Sequence, residues 1–268
     1  YWKRGKMKKN YDVLEFYKII NELIDLSRLE KTKEKFLDID IIKEKSILDR
    51  ELMLMKEMID FYKYDDGLEL AGLADITKMM NSIDIIGSYL SVEDLATLKK
   101  NLTIFRISKS RAKNVRDKYK TIWNLFSDVE EVREIENFIS EAINDEGILK
   151  DDASIGLRDV RRQKQNINAN IKEKFDELIS NKNTQNAIQE RIVTQRNDRY
   201  VIAVKTDFKG LVKGIEHDRS ATGSTVYIEP LNVVSLNNKL REYEAREREE
   251  IRKILLRITE IVKAKKEE

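Results

Sequence analysis

Arg199-Tyr200-Val201-Ile202-Ala203-Val204-Lys205, Leu211-Val212-Lys213-Gly214-Ile215-Glu216-His217 and Ser224-Thr225-Val226-Tyr227-Ile228-Glu229-Pro230 decide the fold. Each stretch is rich in β-branched and aromatic residues, and Thr206 to Gly210 and Asp218 to Gly223 between them carry turn formers, so three short antiparallel strands are predicted within 198–230. Pro230, the only proline, ends the last of them. Its missing N–H suits the first turn of a following helix.

Outward from this segment the chain reads as helix. Gly147 closes the preceding structure, and Asp151-Asp152-Ala153-Ser154 offers N-cap oxygens for an outgoing helix assigned to 148–197. Its apolar residues Val160, Ile167, Ile171, Phe175 and Leu178 are spaced by seven, four, four and three, a narrow seam that implies one neighbouring helix. A returning helix is assigned to 231–268, with Leu236, Leu240, Tyr243, Ile251, Ile254, Ile258 and Ile261 on one side. Its polar stretch around Arg246 to Glu250 is expected to face solvent.

Residues 7–147 read as a helical core. Val13 to Phe36 carries one amphipathic stripe, and Leu48, Leu52, Met55, Ile59 and Tyr62 carry another that ends at Asp65-Asp66-Gly67. Further helices are predicted over Leu73 to Leu90, Ser91 to Phe126 and Val129 to Ile143, with Ser91 and Asp94 spaced as a capping box. Residues 1–6 precede Met7 and are set aside as added or upstream sequence. The fold class is mainly α: a helical core bundle plus two long lever helices flanking a small antiparallel β clamp.

Composition narrows the chemistry. With 51 Lys and Arg against 49 Asp and Glu in 268 residues, the net charge of +2 excludes a bulk polycation. Nine Gly and one Pro are too few turn formers for a sandwich or barrel. The absence of Cys excludes disulfides, a thiolate nucleophile and Cys-ligated zinc, and the single His excludes a multi-His metal site. No apolar window approaches a membrane span, so the chain is read as a cytoplasmic protein without a membrane partner.

Enzymatic motifs are missing. A phosphate-wrapping P-loop needs G-x-x-x-x-G-K-[ST], and only Gly5 precedes a lysine. His217-Asp218-Arg219-Ser220 holds the residue types of a hydrolytic triad, but triad members converge from distant positions and these are turn neighbours. Asp65-Asp66, Asp151-Asp152 and Glu249-Glu250 sit where caps and solvated helix faces place carboxylates. Phe175-Asp176-Glu177 has the Phe-x-Glu form of a wedge that opens a base step, yet its position in the apolar seam makes Phe175 a packing residue. No catalytic, cofactor-binding or metal-binding residue is assigned. Basic residues are the remaining signal. Arg196, Arg199, Lys205, Lys209, Lys213 and Arg219 are the candidate nucleic-acid-binding residues, contacting about three to five phosphates of DNA or RNA without reading bases. Lysines guarding an edge strand against pairing form the competing account.

Gly147-Ile148-Leu149-Lys150-Asp151-Asp152-Ala153-Ser154, Leu157, Arg161, Gln189-Glu190, Ile192 to Lys205, Gly214-Ile215-Glu216-His217-Asp218-Arg219-Ser220-Ala221-Thr222-Gly223, Ile228-Glu229-Pro230 and Leu236-Asn237-Asn238 closely resemble the second-type branch of the bacterial MutS family. Leu14-Glu15-Phe16, Ile19 and Leu73-Ala74-Asp75-Ile76 fit the same branch, so the resemblance runs from Met7 onward. Ala203 stands where that family usually has proline, and Glu216 where it usually has valine. The resemblance implies the core, levers and clamp of a dimeric, ATP-driven protein, without its ATPase and small MutS-related domains. ATP and magnesium are implied only for the full-length protein, as is any endonuclease activity. The implied partners are branched DNA, in suppression of recombination, or a stalled ribosome and its RNA. The alternative is a helical scaffold or dimerisation module that does not touch nucleic acid.

Overall fold

The computed structural model describes residues 14–266. Val13, Met7 and residues 1–6, on which three of the sequence readings fall, lie outside the described residues. Two compact units are present: one carries the described residues up to Leu149 and from Leu255 on, the other is Lys150–Ile254. The chain is mainly α, with two long helices flanking a small antiparallel sheet.

The first unit contains α1 (Phe16–Leu26), α2 (Glu30–Leu37), α3 (Lys45–Tyr64), α4 (Thr77–Ser82), α5 (Val92–Asn114), α6 (Lys120–Asn124) and α7 (Arg133–Ala142). Several are shorter than their apolar periodicity suggests. The single stripe over Val13 to Phe36 breaks at Ser27, whose hydroxyl donates to the Leu23 carbonyl. Of Leu73 to Leu90 only α4 is helical, because Ser88 donates to the carbonyls of Ser82 and Ile85 and folds the chain into a turn, with Gly87 at φ +80°. The helix predicted over Ser91 to Phe126 divides after Asn114, where Lys118 and the Tyr119 hydroxyl turn to Asp65 at 2.7 Å each. The capping box forms: the Ser91 hydroxyl accepts from the Asp94 N–H, and the Asp94 carboxylate accepts from the Ser91 N–H.

Helix α3 presents a different face from the one predicted. Leu54, Met58 and buried Phe61 pack with Ala112, Tyr119 and Ile122. Leu48, Leu52, Met55, Ile59 and Tyr62, the stripe expected to face the core, are all exposed, Met55 at 63% and Ile59 at 60%. Apolar period fixes which residues share a face, and a helix with apolar residues on two faces leaves open which one meets its own core.

The second unit contains α8 (Ile155–Ser180), β1 (Ile188–Arg196), β2 (Arg199–Lys205), a 3₁₀ turn (Thr206–Leu211), β3 (Gly214–Arg219), β4 (Thr225–Pro230) and the first part of α9 (Leu231–Ala264). The sheet is antiparallel in the order β1-β2-β4-β3, with four strands rather than the three predicted. The outgoing helix therefore ends at Ser180 and does not run to 197. Asn181 starts an Asx turn, its side chain accepting from the Asn183 N–H at 2.9 Å, and the Thr184 hydroxyl takes the Leu178 carbonyl at 2.6 Å. Asn197 and Asp198, both at positive φ, form the two-residue loop between Arg196 and Arg199 that joins β1 to β2. β1 is a largely polar edge strand bonded only to β2, so its pattern lacks the apolar alternation of a half-buried strand.

Ile202 and Val204 of β2, Val226 and Ile228 of β4, Val212, and Ile167, Ile171 and Phe175 of α8 form one core with Val233 and Leu240 of α9. The narrow seam of α8 thus serves the sheet as well as a neighbouring helix. Gly214 is required by a close approach, since a Cβ there would lie 2.3 Å from the Glu229 carbonyl oxygen. Ile215 of β3 is 45% exposed. Ile215 pairs with Glu229, whereas Ile228 pairs with Ile202 and Glu216, so Ile215 lies on the sheet face opposite Ile202 and Ile228. Ile215→Asp should cost about 1 kcal/mol or less, whereas Val226→Asp should cost more than about 3 kcal/mol by burying an unpaired carboxylate. Chemical denaturation of the two variants would separate these outcomes.

Candidate nucleic-acid interface

The cationic residues predicted from the sequence end up in two settings. Arg199, at the start of β2, turns inward: its guanidinium donates to Glu229 at 2.6 Å and to Asn238 at 2.6 Å. Arg196 stacks over the Tyr227 ring at 4.2 Å and donates to Asp218 at 3.1 Å. Arg219 forks onto Glu216, also an ion-pair partner of Lys209 at 3.7 Å. The Arg219 guanidinium holds the Glu216 carboxyl below its ordinary range. Arg196, Arg199 and Arg219 are therefore engaged within the sheet.

The three lysines are the more available group. Among the described residues the Lys205 ammonium reaches only the Asn186 carbonyl, at 3.3 Å. Lys209 is exposed on the 3₁₀ turn, and its ion pair is long. Lys213 is exposed and has no side-chain partner among the described residues. All three lie on the end of β2 and on the segment that joins it to β3.

At the start of β2 and the end of β4 lies a buried polar network. Glu229 is fully buried and accepts from Arg199, from Asn237 at 2.9 Å and from His217 Nε2 at 2.6 Å. Asn237 also clamps the backbone of Tyr200, accepting from its N–H and donating to its carbonyl. Burial pushes the Glu229 carboxyl up, but the hydrogen bonds from Asn237, His217 and Arg199 outweigh it and hold the group below its ordinary range. His217 thus bonds to a structural carboxylate, not to Ser220, and the triad reading has no geometry behind it. The sequence signal was the separate Ile228-Glu229-Pro230 and Asn237-Asn238 motifs, whose meeting point is this carboxylate.

A second carboxylate joins the two long helices. Glu247 of α9 accepts from Arg161 of α8 at 2.9 Å and pairs with Lys164, while Arg161 also bonds Asp151. Burial raises the Glu247 carboxyl, and the Lys164 and Arg161 bonds more than reverse that. The charged stretch of α9 predicted to face solvent is therefore partly used between the helices; only Glu247 and Glu250 within it are shielded. Phe175 is fully buried, in accord with the packing role expected of it.

Among the described residues no group of His, Asp or Glu side chains converges as a metal site, and no helix is long and apolar enough to cross a membrane.

No family model matches the chain. Individual relatives do. A protein of Fusobacterium nucleatum named Endonuclease MutS2 is 45% identical over 97% of this chain, which covers 33% of that protein's length. Proteins of the same name from Caldanaerobacter subterraneus and Aquifex aeolicus are 33% and 34% identical over 97% and 93% of the chain. The chain spans about a third of the length of the curated relatives it matches. Over nearly its whole length the chain is thus similar to one segment, about a third, of proteins named Endonuclease MutS2.

Proposed function

We propose that the chain is the non-catalytic core, lever and clamp region of a dimeric MutS-type protein, working in the cytoplasm and gripping nucleic-acid backbone at the tip of its sheet. The observation that carries this reading is the division of labour among the cations. Arginines are tied into the clamp's own ion pairs, while Lys205, Lys209 and Lys213 stand on one connection with weak or no acidic partners. Lysine is a compact, flexible point charge suited to phosphate oxygens in any register. No side-chain set on this connection is built to read base edges, so recognition is of backbone shape and charge, as on branched DNA or the RNA of a stalled ribosome. ATP and magnesium would act in parts of the full-length protein with which this chain does not align, and any nuclease chemistry is assigned there too.

The test is salt-titrated binding to branched DNA, linear duplex, RNA and purified ribosomes in parallel. With about three phosphates engaged, log affinity should fall with log salt at a slope of roughly −2.7 on duplex DNA, from about −0.9 per phosphate. Replacing Lys205, Lys209 and Lys213 together by Glu should weaken binding to every nucleic acid alike and flatten that slope, at unchanged helix content. Wild-type affinity and slope in the triple variant would leave the lysines as guards against edge pairing and refute the clamp reading.

A further inference from the structure

The connection from β2 to β3 exposes an aromatic ring that the clamp's own core does not use. Phe208 is 46% exposed and Leu211 50% exposed. Both lie in the 3₁₀ turn Thr206–Leu211, where side chains three residues apart eclipse, so the two share one side of the turn. That turn is pinned at each end. The Thr206 N–H donates to the Ser224 carbonyl at 3.0 Å, its hydroxyl donates to the Gly223 carbonyl at 2.6 Å, and Val212, just past the turn, is buried in the clamp core. Phe208 lies outside that core, and its ring has no aromatic or cationic neighbour among the described residues.

A lone exposed ring is ordinary on a protein surface; the charges around this one indicate its partner. Lys209 follows it directly, Lys205 precedes the turn and Lys213 lies just beyond it, with Asp207 the one carboxylate within 205–213. An apolar protein surface laid on the ring would desolvate these ammonium groups without pairing them. A nucleotide suits both features at once, offering a π face to the ring and a phosphate to a lysine. Within a continuous duplex the faces of the bases are covered by their stacked neighbours, so only an unpaired base can reach Phe208. Because the turn already holds the ring in place, little conformational freedom is lost when a base stacks on it.

We infer that Phe208 is a stacking residue for an unpaired nucleobase, with Leu211 extending the apolar surface beside it, and that it makes the clamp prefer single-stranded or forked segments of DNA or RNA to continuous duplex. The inference rests on the clamp reading, in which the lysines supply the phosphate contacts. It adds contact with the face of a base, not its edge, and so selects for unpaired structure without selecting sequence.

Fluorescence anisotropy on the 268-residue chain tests it, with single-stranded poly-dT, a fork with single-stranded arms and a linear duplex as probes. Phe208→Ala should weaken binding to the single strand and the fork about 5- to 100-fold, the loss expected for one stacked base. Duplex affinity, set by phosphate contacts, should stay within about twofold of the wild type. Phe208→Trp should keep or tighten single-strand binding, and poly-dT should quench the fluorescence it adds. Phe208→Leu, apolar but without a π face, should recover little of the loss. The inference is overturned if Phe208→Ala weakens all three probes by the same factor or weakens none. Wild-type single-strand affinity in Phe208→Leu overturns it too, by making the ring a plain apolar contact. These failures leave the clamp reading intact as long as the Lys205, Lys209 and Lys213 triple variant loses affinity for every probe, so the two claims fail separately. Binding to none of the probes overturns both.

Discussion

Glu229→Gln should cost the clamp unit about 3 kcal/mol, the low end of what is lost when one partner of a buried ion pair is removed. The variant keeps the volume of the side chain but leaves the Arg199 guanidinium without its anion, and places an amide where the carboxylate accepts from Arg199, His217 and Asn237 together. Arg199 retains 18% exposure, so water compensates part of the loss. The damage should be local. Hydrogen exchange should speed up in β2 and β4 and leave the α5 and α7 amides of the first unit unchanged. The deficit should also depend on pH in one direction. Because the Glu229 carboxyl is held below its ordinary value of 4.5, its stabilisation is fully present above that value and is lost as the pH falls through the lower folded value. The difference between wild type and Glu229→Gln should therefore be constant from neutral pH down to about 5 and shrink in stronger acid, read by denaturant titration at each pH. A deficit that grows on acidification would contradict the network described here.

Phe175→Ala should be of similar or greater consequence, about 3–5 kcal/mol for a fully buried phenyl ring. Phe175 joins α8 to the sheet and to α9, so its removal leaves a cavity where three elements meet. This prediction also separates two uses of a Phe-x-Glu sequence. A wedge residue is exposed when free, so truncating it would weaken binding and spare stability; truncating a packing residue does the reverse. We expect a large fall in the clamp's unfolding midpoint, with the salt slope of binding unchanged at temperatures where the variant is folded. Phe175→Leu should recover much of the stability.

Much of the architecture was decided locally and was legible in the sequence. The strands Arg199–Lys205 and Thr225–Pro230 announce themselves through β-branched residues, Pro230 through its fixed φ, and the starts of α5 and α8 through Ser91 and Ser154, whose hydroxyls accept the expected backbone N–H groups. The family resemblance was legible as well, because it rests on contiguous motifs. What the tertiary structure alone decided concerns partners distant in the chain. β1 exists because β2 supplies its hydrogen bonds; its own polar sequence, on an edge exposed to water, has no apolar period to declare it. The α3 seam is an apolar face that points away from its own core, since two apolar faces on one helix compete and the packing of Phe61 with Tyr119 and Ile122 selects between them. By sequence Arg199 counts among the phosphate-binding cations, but a buried carboxylate 30 residues later claims it. Composition counts charges; only three-dimensional proximity determines which are neutralised within the fold and which remain free to bind another molecule.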